Sequence, residues 1–92
     1  MPNAMQRGGY KSSFSATANI AARPVDLKGI FVSAASGGPQ ITVYDSATTT
    51  TTDLVVALFT PVSATYYPMP ASTEAGLYVV ISGTVTCTVF FA

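Results

Sequence analysis

Cysteine, histidine and charge are scarce in this sequence of 92 residues, and each scarcity narrows the functions open to it. A single cysteine, Cys87, cannot form an internal disulfide, and the lack of histidine removes the usual Cys/His zinc site. Without histidine, the Ser and Thr hydroxyls also lack the base that most often activates them as nucleophiles. We therefore expect no enzyme activity, no cofactor and no metal ion, and a fold held together by packing alone.

Charged residues make up only 9% of the chain, whereas apolar residues make up 49%. An ordinary soluble domain carries about 25% charged residues, so the surface of this one must be largely uncharged. The four basic and four acidic residues cancel, which removes the repulsion that keeps copies of a protein apart. Four dispersed cations are too few to neutralise the phosphates of a nucleic acid. We expect self-association or docking on another protein, and no binding to nucleic acid.

Long apolar runs are also missing. The longest aliphatic runs, such as LVVALF, are far shorter than the roughly 20 residues needed to cross a bilayer. Residues 1–20 lack the apolar core of a signal peptide. We therefore expect neither a membrane protein nor one secreted through a standard signal.

Turn residues divide the chain into short segments that are rich in β-branched and aromatic residues. From Phe14 onward, runs of Val, Ile, Thr, Tyr and Phe alternate with Gly, Pro, Ser and Asp clusters about every ten residues. This spacing predicts an all-β fold, a single small antiparallel β-sandwich of the jelly-roll or immunoglobulin-like kind. About seven strands are expected, at residues 14–21, 27–35, 40–45, 53–60, 64–68, 76–81 and 84–91. Residues 1–13 are polar and aperiodic, which predicts an extended arm before a domain of residues 14–92.

The C-terminal stretch GLYVVISGTVTCTVFFA contains no charged residue. We expect it to form a closing hairpin with a three-residue loop, residues 81–83, in which Gly83 is left-handed. This register gives one core face and one second face without charge. The core face holds Leu77, Val79, Val85, Cys87, Val89 and Phe91, and the second face holds Tyr78, Val80, Thr84, Thr86, Thr88 and Phe90. An uncharged sheet face is poorly suited to solvent, so we expect a second sheet or a neighbouring subunit to cover it.

Asp45 and Asp53 flank a threonine-rich loop, Thr48–Thr52, and are candidates for a carboxylate pair or a calcium site. Acid–base catalysis needs two such groups in a shielded cleft, and calcium needs six to eight oxygens, usually from several carboxylates. The sequence pattern provides neither. The favoured interpretation is that Asp45 ends a strand as a turn residue and Asp53 closes the loop.

Two short segments are candidate contact surfaces. In TYYPMP, residues 65–70, two tyrosines adjoin rigid prolines and offer low-entropy contact area to a protein or a sugar. The alternative is that one tyrosine fills the core and the other lies at a strand edge. In the arm, RGGY is a single copy of an RNA-binding type of repeat, and docking on an acidic protein surface is the favoured use of Arg7 and Lys11. We expect an arm interface and a sheet-and-loop interface: Arg7, Tyr10, Lys11 and Phe14 in the first, and Tyr66, Tyr67, Tyr78, Val80 and Phe90 in the second.

The segments LKGIFVSAASGGPQITVYDS, LFTPVSATYYPMP and GLYVVISGTVTCTVFF follow one another in an order that resembles a group of small tailed-phage virion proteins. In that group, a β-sandwich domain carries a G-[IV]-x-V-S strand, an I-x-V-[YW]-D strand, an F-T-P…Y-Y-P-x-P segment and a final G-L-Y-V…S-G-T-V hairpin. The resemblance covers about residues 27–92. The matching positions are Gly29-Ile30, Val32-Ser33, Val43-Tyr44-Asp45, Phe59-Thr60-Pro61, Tyr66-Tyr67-Pro68 and Gly76-Leu77-Tyr78.

Proteins of this group look like capsid cement or decoration proteins, which bind as small oligomers at capsomer junctions and stiffen the expanded shell. The resemblance therefore implies a structural virion protein on the capsid surface, assembled in the host cytoplasm. Its implied partners are the major capsid protein and further copies of itself, as a homotrimer. It implies no catalysis. The alternative is a tail, fibre, spike or connector module that displays the Thr48–Thr52 and Tyr66–Tyr67 loops to a host glycan.

Overall fold

The computed structural model describes the backbone of residues 10–92, with side chains from residue 14 onward. This part of the chain forms six β-strands and no helix. The strands are β1 (Tyr10–Phe14), β2 (Ala18–Ala21), β3 (Asp26–Asp45), β4 (Leu54–Phe59), β5 (Thr65–Ser72) and β6 (Leu77–Phe91). All of them join one antiparallel sheet, which confirms the predicted all-β antiparallel class.

The two longest strands, β3 and β6, organise the sheet. They pair with each other from Leu27↔Phe91 at one end to Asp45↔Leu77 at the other, and both bend in the middle. In the first half of the sheet, half A, this pair is flanked by β1 next to β6 and by β5 next to β3. In the second half, half B, it is flanked by β2 next to β6 and by β4 next to β3. Each half therefore has four strands, and the two halves share β3 and β6.

The bend lies where glycines interrupt both long strands. Gly37 and Gly38 of β3 have φ angles of 76° and 68°, and Gly83 of β6 has a φ of 86°. Glycine enters this left-handed region without the steric cost of a Cβ. Pairing passes from Ser36↔Thr84 to Gln40↔Ser82, so three residues of β3 face the single Gly83. Such a bulge bends a strand without ending it, and the sheet curls at this line.

The expected closing hairpin is not formed. β6 runs through Gly83 as one strand, and the left-handed glycine makes the bend instead of a loop. The expected strands 27–35 and 40–45 are likewise two parts of β3, whereas the expected strand 14–21 is divided into β1 and β2. Glycine clusters mark both turns and bulges in a sequence, so the pattern gives seven strands where the structure has six.

The predicted faces of β6 are confirmed even though the hairpin is absent. Its six expected core residues are all buried, and the residues of its second face are exposed or half-buried. A continuous strand places alternate residues on one face, and odd-numbered residues share a face in either arrangement. The predicted three-residue loop and the continuous strand therefore give the same faces, whereas a two-residue loop would have reversed them.

The core lies on the concave side of the curled sheet, where the inner residues of both halves meet in one cluster. From β3 it contains Leu27, Ile30, Val32, Ile41 and Val43, and from β6 it contains Leu77, Val79, Val85, Cys87, Val89 and Phe91. Ala21 and Val25 are buried with them, and Phe14 and Tyr67 pack against the cluster from its margin. Because the inner side holds the core, the outer sides of the two halves are the surfaces open to other molecules.

Candidate functional site: the outer faces of the sheet

The outer side of half A carries a cluster of aromatic rings. Tyr66 of β5 lies opposite Phe31 of β3, and its ring meets Phe90 of β6 edge-on, with centroids 6.1 Å apart. Gly29 makes room for this ring, since a Cβ on Gly29 would lie 2.6 Å from Cζ of Tyr66. The Tyr66 hydroxyl donates to the carbonyl oxygen of Lys28 at 3.4 Å. We call this surface the A face, formed by Phe31, Ser33, Tyr66, Thr86, Thr88 and Phe90.

The outer side of half B is also free of charge. Tyr44 of β3 lies between Leu54 of β4 and Tyr78 of β6, and the two tyrosine ring centroids are 6.4 Å apart. Val80 lies opposite Thr42 in the next row. We call this surface the B face, formed by Thr42, Tyr44, Leu54, Leu58, Tyr78 and Val80. No Lys, Arg, Asp or Glu is among the residues named for the two faces, although β1 brings the backbone of Lys11 opposite Phe90 at the margin of the A face.

The residues of the predicted sheet-and-loop interface are found in three places. Tyr66 and Phe90 lie on the A face, and Tyr78 and Val80 lie on the B face. Tyr67 turns to the inner side, where its ring packs on Phe59 with centroids 5.1 Å apart. Its hydroxyl accepts a hydrogen bond from the N–H of Val62 at 2.8 Å. The five residues therefore do not form one surface, because they lie in different halves of the sheet and neighbouring residues of a strand face opposite sides.

The residues of the predicted arm interface are only partly in the described chain. Arg7 lies outside the described residues. Tyr10 and Lys11 belong to β1, where the backbone pairs them with Phe91 and Phe90. Phe14 is half-buried against the core, and its carbonyl oxygen accepts the S–H of Cys87 at 3.8 Å. Residues 10–13 of the predicted arm are thus part of an edge strand of the sheet.

Asp45, a candidate catalytic or calcium-binding residue, serves as a structural clamp. Its carboxylate accepts the N–H groups of Glu74 and Ala75, both at 2.8 Å, and that of Gly76 at 3.2 Å. The N–H of Glu74, followed by that of Ala75, holds the pKa of the Asp45 carboxyl below its ordinary value, against a weaker opposing effect of desolvation. Asp45 therefore fastens the end of β3 to the turn before β6, which agrees with a turn role rather than a catalytic one.

The hydroxyl group of Ser46, just before the threonine-rich loop, organises the backbone of that loop. The hydroxyl oxygen of Ser46 accepts the N–H groups of Thr48 and Thr50 at 3.0 and 3.1 Å. Asn19 of β2 donates to the carbonyl oxygens of Ser46 and Thr48 at 3.0 and 2.9 Å. The loop follows the end of β3 in half B, whereas Tyr66 lies opposite Phe31 in half A. The two loops proposed for glycan display therefore do not lie side by side.

Two remaining features offer no reactive group. Cys87 is fully buried, and burial raises the pKa of its thiol to about 11, so little thiolate exists near neutral pH. An open depression is lined by Asp26, Leu27, Lys28, Pro70, Ala71 and Ser72. Within it, Ser72 donates its hydroxyl proton to Asp26 at 2.8 Å. One such pair in an open depression does not make a shielded catalytic cleft.

Each edge strand of the sheet carries a feature that hinders pairing with another strand. β5 contains Pro68 and Pro70, which have no N–H to donate. β4 shifts register twice against β3, β2 spans four residues with one shift, and β1 spans five residues. Prolines, bulges and short edges are the means by which proteins avoid edge-to-edge association. Contacts with other proteins are therefore expected on the faces of this sheet rather than along its edges.

Comparison of the chain with protein-family models, with curated proteins and with solved structures found no match. The described residues contain no group of three or more His, Cys, Asp or Glu side chains that could hold a metal ion. Within residues 10–92, no helix has the length and hydropathy to cross a membrane. The two uncharged faces are thus the features from which a function can be inferred.

Proposed function

We propose that this chain is a structural virion protein that decorates and stabilises the capsid of a tailed phage by binding its major capsid protein. The resemblance of residues 27–92 to small phage virion proteins supports this role. The observation that carries it is the scarcity of charge on both outer faces of the sheet, where β1 brings the backbone of Lys11 only to the margin of the A face, opposite Phe90. An antiparallel sheet exposed to water normally has one polar face, whereas a domain held between neighbours needs none.

In this proposal the A face and the N-terminal arm dock on the shell together. β1 places Lys11 opposite Phe90, so the backbone of the basic arm leads directly to the aromatic cluster. All four basic residues of the chain lie within its first 28 residues, which suits an acidic patch beside an apolar one. Burying the A face contributes about 25 cal/mol per Å² of apolar surface, before the cost of ordering the arm.

The proposed function also includes the oligomeric state of the chain and the kind of sandwich that its sheet belongs to. The chain acts on the capsid surface as a homo-oligomer, for which the resemblance implies three copies, and without catalysis, cofactor, nucleic acid or membrane. The two halves of the curled sheet are the layers from which a small jelly-roll or immunoglobulin-like sandwich would be built. A tail, fibre, spike or connector module stays the alternative, although no contact in the structure favours joint display of Thr48–Thr52 and Tyr66–Tyr67.

The arm is best tested by a deletion that spares β1. Removing residues 2–13 would also remove most of β1, which pairs with β6 from Tyr10 to Phe14. We therefore propose deletion of residues 2–9 and measurement of binding to purified expanded shells of the parent phage that lack this protein. The shortened chain should keep its β-type circular dichroism and bind the shells at least tenfold more weakly.

The A face is tested by Tyr66→Lys, which places a charge among the aromatic rings. Tyr66 is 47% exposed, so the domain should still fold. Thr51→Lys, in the exposed threonine-rich loop, is the matched control with the same added charge. We expect Tyr66→Lys to weaken shell binding at least tenfold, or about 1.4 kcal/mol, with Thr51→Lys unchanged. Full occupancy by both the deletion and Tyr66→Lys would reject the proposed docking.

A further inference from the structure

We draw no further inference here: the strongest candidate, the apolar outer face of half B around Tyr44, Leu54 and Leu58, carries no proposal because nothing in the structure shows what covers it.

Discussion

Gly83 of β6 lies against Pro39 of β3 at the bend of the sheet, so closely that a Cβ on Gly83 would be 2.8 Å from Cα of Pro39. Gly83 is also left-handed, with a φ of 86°. These two conditions exclude every residue with a side chain from an unstrained fit at this position. The bend brings the inner residues of both halves into one core, so a side chain at this contact would disturb the packing of both halves.

Replacing Gly83 by alanine should therefore destabilise the protein more than the same change at Gly37. Gly37 shares the left-handed conformation, with a φ of 76°, but a Cβ there would meet nothing within 4 Å. We expect a loss of about 1 kcal/mol in the free energy of unfolding for Gly37→Ala and about 3 kcal/mol for Gly83→Ala. Urea denaturation measures both. Equal losses would show that the contact with Pro39 is unimportant.

Gly76 and Gly29 differ in what an added Cβ would contact, which is backbone at Gly76 and a side chain at Gly29. A Cβ on Gly76 would overlap the carbonyl oxygens of Ala21 and Ser46 and lie 2.8 Å from Cα of Ala47. The three atoms nearest to a Cβ on Gly29 would all belong to the outer part of the Tyr66 ring, and this side chain can rotate away. We expect Gly76→Ala to cost about 3 kcal/mol of stability and Gly29→Ala less than about 1 kcal/mol. Gly29→Ala should instead alter the near-ultraviolet circular dichroism of Tyr66, and a large stability loss from it would contradict this reading.

The Asp45 clamp should make stability depend on pH in the acid range. Its hydrogen bonds to Glu74, Ala75 and Gly76 lower the pKa of the carboxyl in the native state, while the unfolded chain has the ordinary value of about 3.9. The unfolded state thus binds the proton first, so the clamp stabilises the fold above about pH 4 and is lost as the pH falls through the native pKa. Unfolding free energies measured from about pH 7 down to about pH 2 should decrease toward acid in the wild type and less steeply in Asp45→Asn.

Asp53→Asn is the control for that experiment, because it removes a similar charge from the same loop. The carboxylate of Asp53 accepts no hydrogen bond from the described residues, and only its backbone carbonyl is engaged, by the N–H of Asp45 at 2.8 Å. Its acid profile should therefore match that of the wild type. If Asp53→Asn flattened the profile as much as Asp45→Asn, the effect would be general charge repulsion rather than the clamp.

Cys87 should report whether β1 stays on the sheet. Its thiol is buried beside Phe14 of the neighbouring strand β1, and burial raises the pKa of this thiol to about 11, so alkylation by iodoacetamide at pH 8 should be far slower in native protein than in urea. Deleting residues 2–9 should leave this protection intact, whereas deleting residues 2–14 should abolish much of it. Rapid labelling of the full native chain would contradict the burial of Cys87 beside β1.

The sequence predicted the strand-forming segments and the faces of β6 because alternation depends only on neighbouring residues. Tyr66 and Tyr67 could not be assigned to outside and inside, since this depends on β5 pairing with β3 at Phe31↔Tyr66. The sequence predicted a hairpin at Gly83 where the structure has a bend within β6, because glycine favours both bulges and turns. The sequence could not predict the hydrogen bonds of the Asp45 carboxylate, because their donors lie about 30 residues further along the chain.

Cryo-electron microscopy of the parent virus particle, with the six-stranded domain fitted to the density, would show directly where this protein lies in the virion. We expect copies of the curled sheet repeated over the icosahedral shell, with the A face and the N-terminal arm against the major capsid protein. Density confined to the tail or to a single vertex would contradict the capsid role and make the tail or connector role the leading explanation.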